Sequence, residues 1–132
     1  MVRSQSGKLN SRLINLGVRA GKLKTLGKKI GRVPKFFFME LTAKEPEMFN
    51  LVMRFEQHIW DDGKISGKTK KLIAIAIAAA LRDQHAVRAQ LAGAKNIGVT
   101  IGEVEEALRV TFLLSGMPAN VYGKAQLDEV MP

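Results

Sequence analysis

Apolar residues recur every three or four positions along most of this chain, which is the spacing of one face of an α-helix. The first such stripe lies in residues 9–30, with steps that alternate between four and three residues: Leu9, Leu13, Leu16, Ala20, Leu23, Gly27, Ile30. Pro34 follows, and a proline disfavours helical geometry in the residue before it. The pattern predicts a helical N-terminal extension over residues 1–33 and a separate domain over residues 34–132.

The start of each helix in residues 34–132 is marked by a residue that favours the first turn or the N-cap. Pro46 suits a first helical turn, and Ser66 is a good cap for a helix through residues 72–81. Thr100 and Glu103 have the spacing of a capping box, in which each side chain accepts a hydrogen bond from the other residue's backbone. We therefore expect helices that begin near these three places.

The ends of the helices are marked by glycine, proline and short polar residues. We expect a turn at residues 61–64, a helix end near Gly98 and another at residues 115–118. The last helix is expected to reach about residue 130. No segment alternates between apolar and polar residues as a half-buried strand does. The sequence therefore predicts an all-α, single-domain helical bundle.

The longest uninterrupted apolar run covers residues 72–81, which is ten residues. A membrane-spanning helix needs roughly 20, so the run indicates a buried helix. It is apolar on every side and must be covered all round, which a chain of 132 residues does poorly alone. We therefore predict a homo-oligomer. The N-terminus shows no secretory signal pattern, and we expect the protein in the cytoplasm.

Positive charge is concentrated at the N-terminus. The formal net charge is +9, and residues 1–35 hold ten of the 21 Lys and Arg residues but none of the 12 acids. Such a segment can attract nucleic acid or an anionic lipid surface. It has no aromatic side chains to stack on bases and no known reading motif, so nucleic acid is not the partner we expect. Binding of an anionic surface stays an alternative function.

Three short segments form an ordered set along the chain: His85-Ala-Val-Arg-Ala-Gln90, Gly98-Val-Thr-Ile-Gly-Glu103 and Gly116-Met-Pro-Ala-Asn120. In their order and spacing they resemble the carboxymuconolactone decarboxylase-like (AhpD-like) family. The resemblance covers about residues 34–130. It implies an all-helical bundle that assembles into a homotrimer or homohexamer, without a metal or a cofactor.

The peroxidase branch of this family uses a glutamate upstream of a Cys-x-x-Cys-x-x-x-His motif. Carried over by position, the glutamate is Lys71, the two cysteines are Asp83 and Ala86, and the histidine is Gln90. The chain contains no cysteine, so it has no thiolate to attack a peroxide and no thiol to resolve the product. An antioxidant role would follow from the family label alone, and the sequence argues against it.

The decarboxylase branch fits better, because it has a histidine at the position of His85 and an arginine at that of Arg88. Its second histidine is Gln90 here, which cannot exchange protons. His85 could deliver a proton to carbon and Arg88 could hold a carboxylate in a bidentate contact. His85, Arg88 and Gln90 are therefore the candidate catalytic residues of a cofactor-independent lyase acting on a small acidic lactone or carboxylate.

A structural interpretation of the same residues leads to a different function, that of a non-catalytic oligomeric helical scaffold. At about 100° per residue, Asp83 and Gln90 lie beside the apolar face of their helix, where they can serve as hydrogen-bonded polar groups against the core. His85 and Arg88 point to the other side, toward solvent or a neighbouring subunit. Lys71 is expected in a solvated first helical turn.

Overall fold

The computed structural model describes residues 42–132, and the predicted N-terminal helix at residues 9–30 lies outside them. Within the described range, residues 42–44 are helical and five longer helices follow, with no strand. The prediction of an all-α fold is confirmed. The five helices are α1 (Pro46–Trp60), α2 (Gly67–Leu81), α3 (Gln84–Asn96), α4 (Ile101–Ser115) and α5 (Met117–Val130).

The described residues belong to two compact units. The first contains residues 42–59, and therefore α1 up to Ile59. The second contains residues 60–132, with Trp60 and the helices α2 to α5. Within the second unit each of these helices packs against two or three of the others. No helix of the described range is both long and apolar enough to cross a bilayer.

Side-chain caps fix where the helices of the second unit begin. The Ser66 hydroxyl accepts a hydrogen bond from the Thr69 backbone N–H at 3.2 Å, as predicted for the start of α2. The Thr100 hydroxyl accepts from the Glu103 N–H at 3.2 Å, and the Glu103 carboxylate accepts from the Thr100 N–H at 2.8 Å. The predicted capping box is therefore present, and it sets the first turn of α4.

The helix ends also follow the local chemistry of the chain. Gly98 has φ +82° and Gly116 has φ +91°, values that glycine adopts without steric cost. The predicted ends at these two glycines are confirmed, since α3 stops at Asn96 and α4 at Ser115. Arg82 ends α2 in the same left-handed region, with φ 55°, although it has a side chain that makes this conformation unfavourable.

The core of the second unit is formed by apolar side chains of all four of its helices and of the segments after α3 and α5. Its buried members are Ile75, Ala78, Ala79, Val87, Leu91, Ala94, Val99, Val104, Leu108, Leu127 and Met131. The run at residues 72–81 contributes only one side of its helix to this core. Ile73, Ile77 and Leu81 are 45%, 56% and 75% exposed, so the helix that is apolar all round is covered on one face only.

Candidate functional site

Lys71 is completely buried, with a relative exposure of 0%. The expectation that it belongs to a solvated first turn is wrong. Lys71 precedes Ile75 by four residues and Ala78 by seven, so the helical repeat places it on the face of α2 that meets the core. The helical repeat thus brings the lysine side chain into the interior of the second unit.

Gln90 and Trp60 both contact the amino group of Lys71. The Lys71 Nζ donates a hydrogen bond to Gln90 Oε1 at 2.8 Å, and it lies 3.5 Å from the centroid of the Trp60 ring. An amide oxygen and the face of an indole ring both stabilise an ammonium group. We refer to Lys71, Gln90 and Trp60 as the Lys71 cluster.

Local structure positions each member of the Lys71 cluster. Trp60 is the last residue of α1 and is buried, at 9% exposure. The chain between it and α2 is held by Asp62, whose carboxylate accepts a hydrogen bond from the Gly67 N–H at 2.6 Å. Gln90 lies in the middle of α3, next to the fully buried Leu91. The cluster is therefore built on helices and a tied turn, which hold its atoms in place.

Two of the four positions that the resemblance assigns to the peroxidase motif meet in this cluster. Lys71 occupies the glutamate position and Gln90 the histidine position, and their polar atoms are 2.8 Å apart. The two cysteine positions have a structural role instead, because the Asp83 carboxylate accepts from the Ala86 N–H at 3.0 Å and caps α3. Asp83 is exposed, so the prediction that it is held against the core is wrong.

Arg88 reaches from α3 to α5. Its Nε donates to Gln126 Oε1 at 2.6 Å, and its Nη2 forms an ion pair with Glu129. The Arg88 side chain is 42% exposed and Gln126 is buried, at 7%. The helical repeat predicted that Arg88 faces solvent or a neighbouring subunit, whereas its guanidinium group contacts α5 of the same chain. It already holds a carboxylate, that of Glu129.

The three predicted catalytic residues make different contacts. Gln90 is bound to α2 through Lys71, Arg88 is bound to α5, and His85 lies exposed in the first turn of α3. None of the hydrogen bonds in the described part of the chain joins one of these three side chains to another. Their joint role in catalysis stays a prediction.

Two surface groups of the described range, Glu103 and Lys124, have shifted pKa values. The pKa of Glu103 is lowered, first by the hydrogen bond from the Thr100 backbone and then by the Thr100 hydroxyl. The pKa of Lys124 is raised by its contacts with the carboxylates of Glu105 and Asp128. Residues 42–132 contain no group of three or more His, Asp or Glu side chains placed to hold a metal ion.

The sequence analysis did not identify Lys71 and Trp60 as members of a site. A signal for Lys71 exists, because it shares the helical register of the buried residues Ile75 and Ala78. Lys71 lies four residues before Ile75 and seven before Ala78, and this spacing predicts that it faces the core as they do. Trp60 has no comparable signal, since its contact with Lys71 spans a turn whose path the sequence does not define.

Comparisons with known proteins agree with the motifs. Residues 46–129 match the model of the carboxymuconolactone decarboxylase family. Two uncharacterized proteins of Methanocaldococcus jannaschii are similar to the chain. One is 36% identical over 77 residues, which are 58% of this chain and 74% of that protein. The other is 29% identical over 85 residues, 64% of this chain and 79% of the relative. The chain belongs to the carboxymuconolactone decarboxylase family.

Proposed function

We propose that this protein is a cofactor-independent lyase that acts on a small organic acid at the Lys71 cluster. The observation that carries the proposal is the complete burial of the Lys71 amino group. Taking a lysine out of water costs several kcal/mol before its contacts are counted, so an apolar side chain would fill this place at lower cost. Buried charged groups with specific partners are concentrated at functional sites.

The chemistry follows from the side chains of the cluster. The Lys71 ammonium would hold a substrate carboxylate, and the Trp60 ring would form an apolar wall beside a lactone ring. When the bond from carbon to the carboxylate breaks, carbon dioxide leaves and the electron pair stays on carbon. That carbon takes a proton from the Lys71 ammonium, and solvent that enters as the product leaves would return the proton to the amine. Gln90 cannot exchange protons, so its part is to orient the ammonium group through the 2.8 Å hydrogen bond.

The main competing function is a non-catalytic oligomeric scaffold. It is favoured by the contacts of Arg88, whose partner is the protein's own Glu129, and by the enclosure of Lys71 between Gln90 and Trp60. In this alternative both cations have structural partners and no substrate approaches them. The alternative predicts that small acids do not bind at all.

Calorimetric titration with small dicarboxylates and lactones separates the two functions. The wild-type protein is compared with Lys71→Met, which has a similar volume without charge, and with the control Lys95→Met in the last turn of α3. A lyase site predicts binding that Lys71→Met weakens by about thirtyfold or more and Lys95→Met leaves unchanged. If no acid binds the wild-type protein below millimolar concentration, the lyase proposal fails.

The candidate residues derived from the sequence need a separate test. Gln90→His restores the second histidine of the decarboxylase branch, and carbon dioxide release from a lactone acid is measured for the wild type and the variant. Release that requires His85 and Arg88 in either protein would support their predicted roles as proton donor and carboxylate ligand. Unchanged release in His85→Ala and Arg88→Ala would remove both from the mechanism.

The assembly and location of the protein also remain proposals. We propose a homotrimer or homohexamer in the cytoplasm, with a small acidic molecule as ligand. An anionic surface stays an alternative partner for the N-terminal segment, whose residues 1–33 lie outside the described part of the chain.

A further inference from the structure

Lys71 lies one side chain below the surface of the second unit. Its own exposure is 0%, but both side chains that contact its amino group reach water, since Trp60 is 9% exposed and Gln90 is half-buried. Ile75 and Ala78, on the same face of α2, belong to the core. A ligand from solvent therefore reaches the Lys71 amino group by a movement of Trp60 or Gln90, without separation of the core helices.

The Trp60 ring covers the amino group directly. The Lys71 Nζ lies 3.5 Å from the ring centroid, which is contact distance, so no further atom fits between the two. The face of an indole ring carries negative charge density, which attracts an ammonium group and repels an anion. A bound carboxylate and the Trp60 ring therefore exclude each other on this side of the Lys71 amino group.

Gln90 can keep its place when an acid binds. An ammonium group has three N–H donors, and Gln90 Oε1 accepts from one of them at 2.8 Å. The Gln90 amide also has an NH₂ group, which can donate a hydrogen bond to a carboxylate. Its backbone lies in the middle of α3, beside the fully buried Leu91. Of the two side chains, the Trp60 ring is thus the one that an acid displaces.

The position of Trp60 in the chain leaves its ring room to turn outward. Trp60 is the last residue of α1, and residues 61–66 after it are exposed. The Asp62 carboxylate and the Lys70 amino group tie this turn through hydrogen bonds to backbone atoms. Because the backbone beside the ring is held, the ring moves by rotation about its own side-chain bonds.

We propose that Trp60 is the gate of the Lys71 cluster: its ring covers the amino group in the free protein and rotates aside when a small acid binds. The nature of the ligand rests on the proposed function. After rotation the ring lies beside the ligand and forms the apolar wall described above. The ligand must replace the contact that the ring loses, so Trp60 favours acids with an apolar body over small ions such as acetate.

Lysine labelling tests the gate without any ligand. The full-length protein is treated with formaldehyde and cyanoborohydride, and the methylation of each lysine is followed by peptide mass spectrometry. The rate at a buried amine depends on the fraction of molecules in which it is open to solvent. Lys71 of the wild type should react about tenfold or more slowly than the exposed Lys95, and Trp60→Ala should raise the Lys71 rate by about tenfold or more.

Tyr122→Ala is the matched control. It removes an aromatic ring that packs on the core next to Gly123, whose neighbour on α2 is Ala79, about two turns beyond Lys71. This variant should leave the Lys71 rate unchanged. Trp60→Phe keeps a smaller ring, folds more readily than Trp60→Ala, and should also label Lys71 faster than the wild type. Equal Lys71 rates in the wild type and the folded Trp60 variants overturn the proposal.

Fluorescence distinguishes failure of the gate from failure of the lyase site, because Trp60 is the only tryptophan of the chain. Cyclohexanecarboxylate should change the Trp60 emission and protect Lys71 from methylation, and acetate should bind about tenfold or more weakly. Protection of Lys71 with unchanged emission, or equal binding of acetate, overturns the gate and leaves the lyase site. If no acid binds while Trp60→Ala still unmasks Lys71, the ring covers the amine as proposed and the lyase function fails.

Discussion

Gly123 is the place where α5 approaches the neighbouring helices most closely, and its replacement by alanine tests the packing directly. A methyl group at this position would overlap a Leu108 methyl and would lie 3.1 Å from the Ala79 Cβ. Leu108 is 1% exposed and Ala79 is fully buried, so neither can move out into solvent. The additional methyl must therefore push α5 away from α4 and α2.

The expected magnitude is the difference between two opposing effects. Forcing a methylene into a packed core costs about 1–3 kcal/mol, while alanine in a helix is favoured over glycine by about 1 kcal/mol. Because the added methyl would also press against the Ala79 Cβ, which cannot rotate away, we expect Gly123→Ala to lower the free energy of unfolding by about 1–2 kcal/mol. Gly102, in the first turn of α4, has no atom within 4 Å of the position a Cβ would take. Gly102→Ala should therefore raise stability, by up to about 1 kcal/mol.

Both variants are unfolded with urea, monitored by circular dichroism, at one protein concentration so that any association affects them equally. A double variant sharpens the test, because Leu108→Ala removes the methyl groups that the added methyl of Gly123→Ala would meet. In that background the Gly123→Ala change should cost less than in the wild type. If Gly123→Ala is as stable as Gly102→Ala, the close packing described for α5 is incorrect.

The remaining predictions concern caps and surface contacts. Arg82→Gly should raise the free energy of unfolding by about 1 kcal/mol in the same urea experiment, since φ 55° is unfavourable for a residue with a side chain. The lowered pKa of Glu103 means that its carboxylate stabilises the fold above the ordinary value of 4.5 and that this contribution is lost as the pH falls through the lowered pKa. When stability is measured as the pH is lowered from 4.5 through the lowered pKa, Glu103→Gln should therefore lose less stability than the wild type. Gln126→Ala should destabilise more than Glu129→Ala, by calorimetric melting, because Gln126 is buried and the Glu129 ion pair is exposed.

The order and the boundaries of the helices could be predicted because they depend on neighbouring residues. The Thr100–Glu103 capping box and the left-handed Gly98 and Gly116 act through contacts that span a few residues. All the residues that take part in such a contact lie within one short segment, so the segment alone predicts it. The left-handed Arg82 was not predicted, because its conformation is stabilised by hydrogen bonds of its own and the next backbone N–H to α2 carbonyls rather than by its side chain.

The site could be predicted only in part, because its contacts join distant segments. Gln90 was identified from a motif, but its partner Lys71 is 19 residues away along the chain. Arg88 was also identified, and its partners on α5 are 38 and 41 residues away. A helical repeat tells which side of a helix a residue occupies. It does not tell which helix lies on that side, and this decides whether an arginine meets solvent or a carboxylate.

The change of charge at the Lys71 position has a consequence for the reactions this fold can support. In the peroxidase-like arrangement a glutamate and a histidine can pass a proton between them, because both exchange protons in water. Here the same two places hold an ammonium group and an amide, of which the amide cannot exchange a proton. The pair therefore cannot relay a proton away from a nucleophile, whether or not a cysteine is present. An amine at this place can carry the positive charge that the carboxylate chemistry proposed above requires. Lys71 and Gln90 thus favour carboxylate chemistry over peroxide chemistry on grounds that are independent of the missing cysteines.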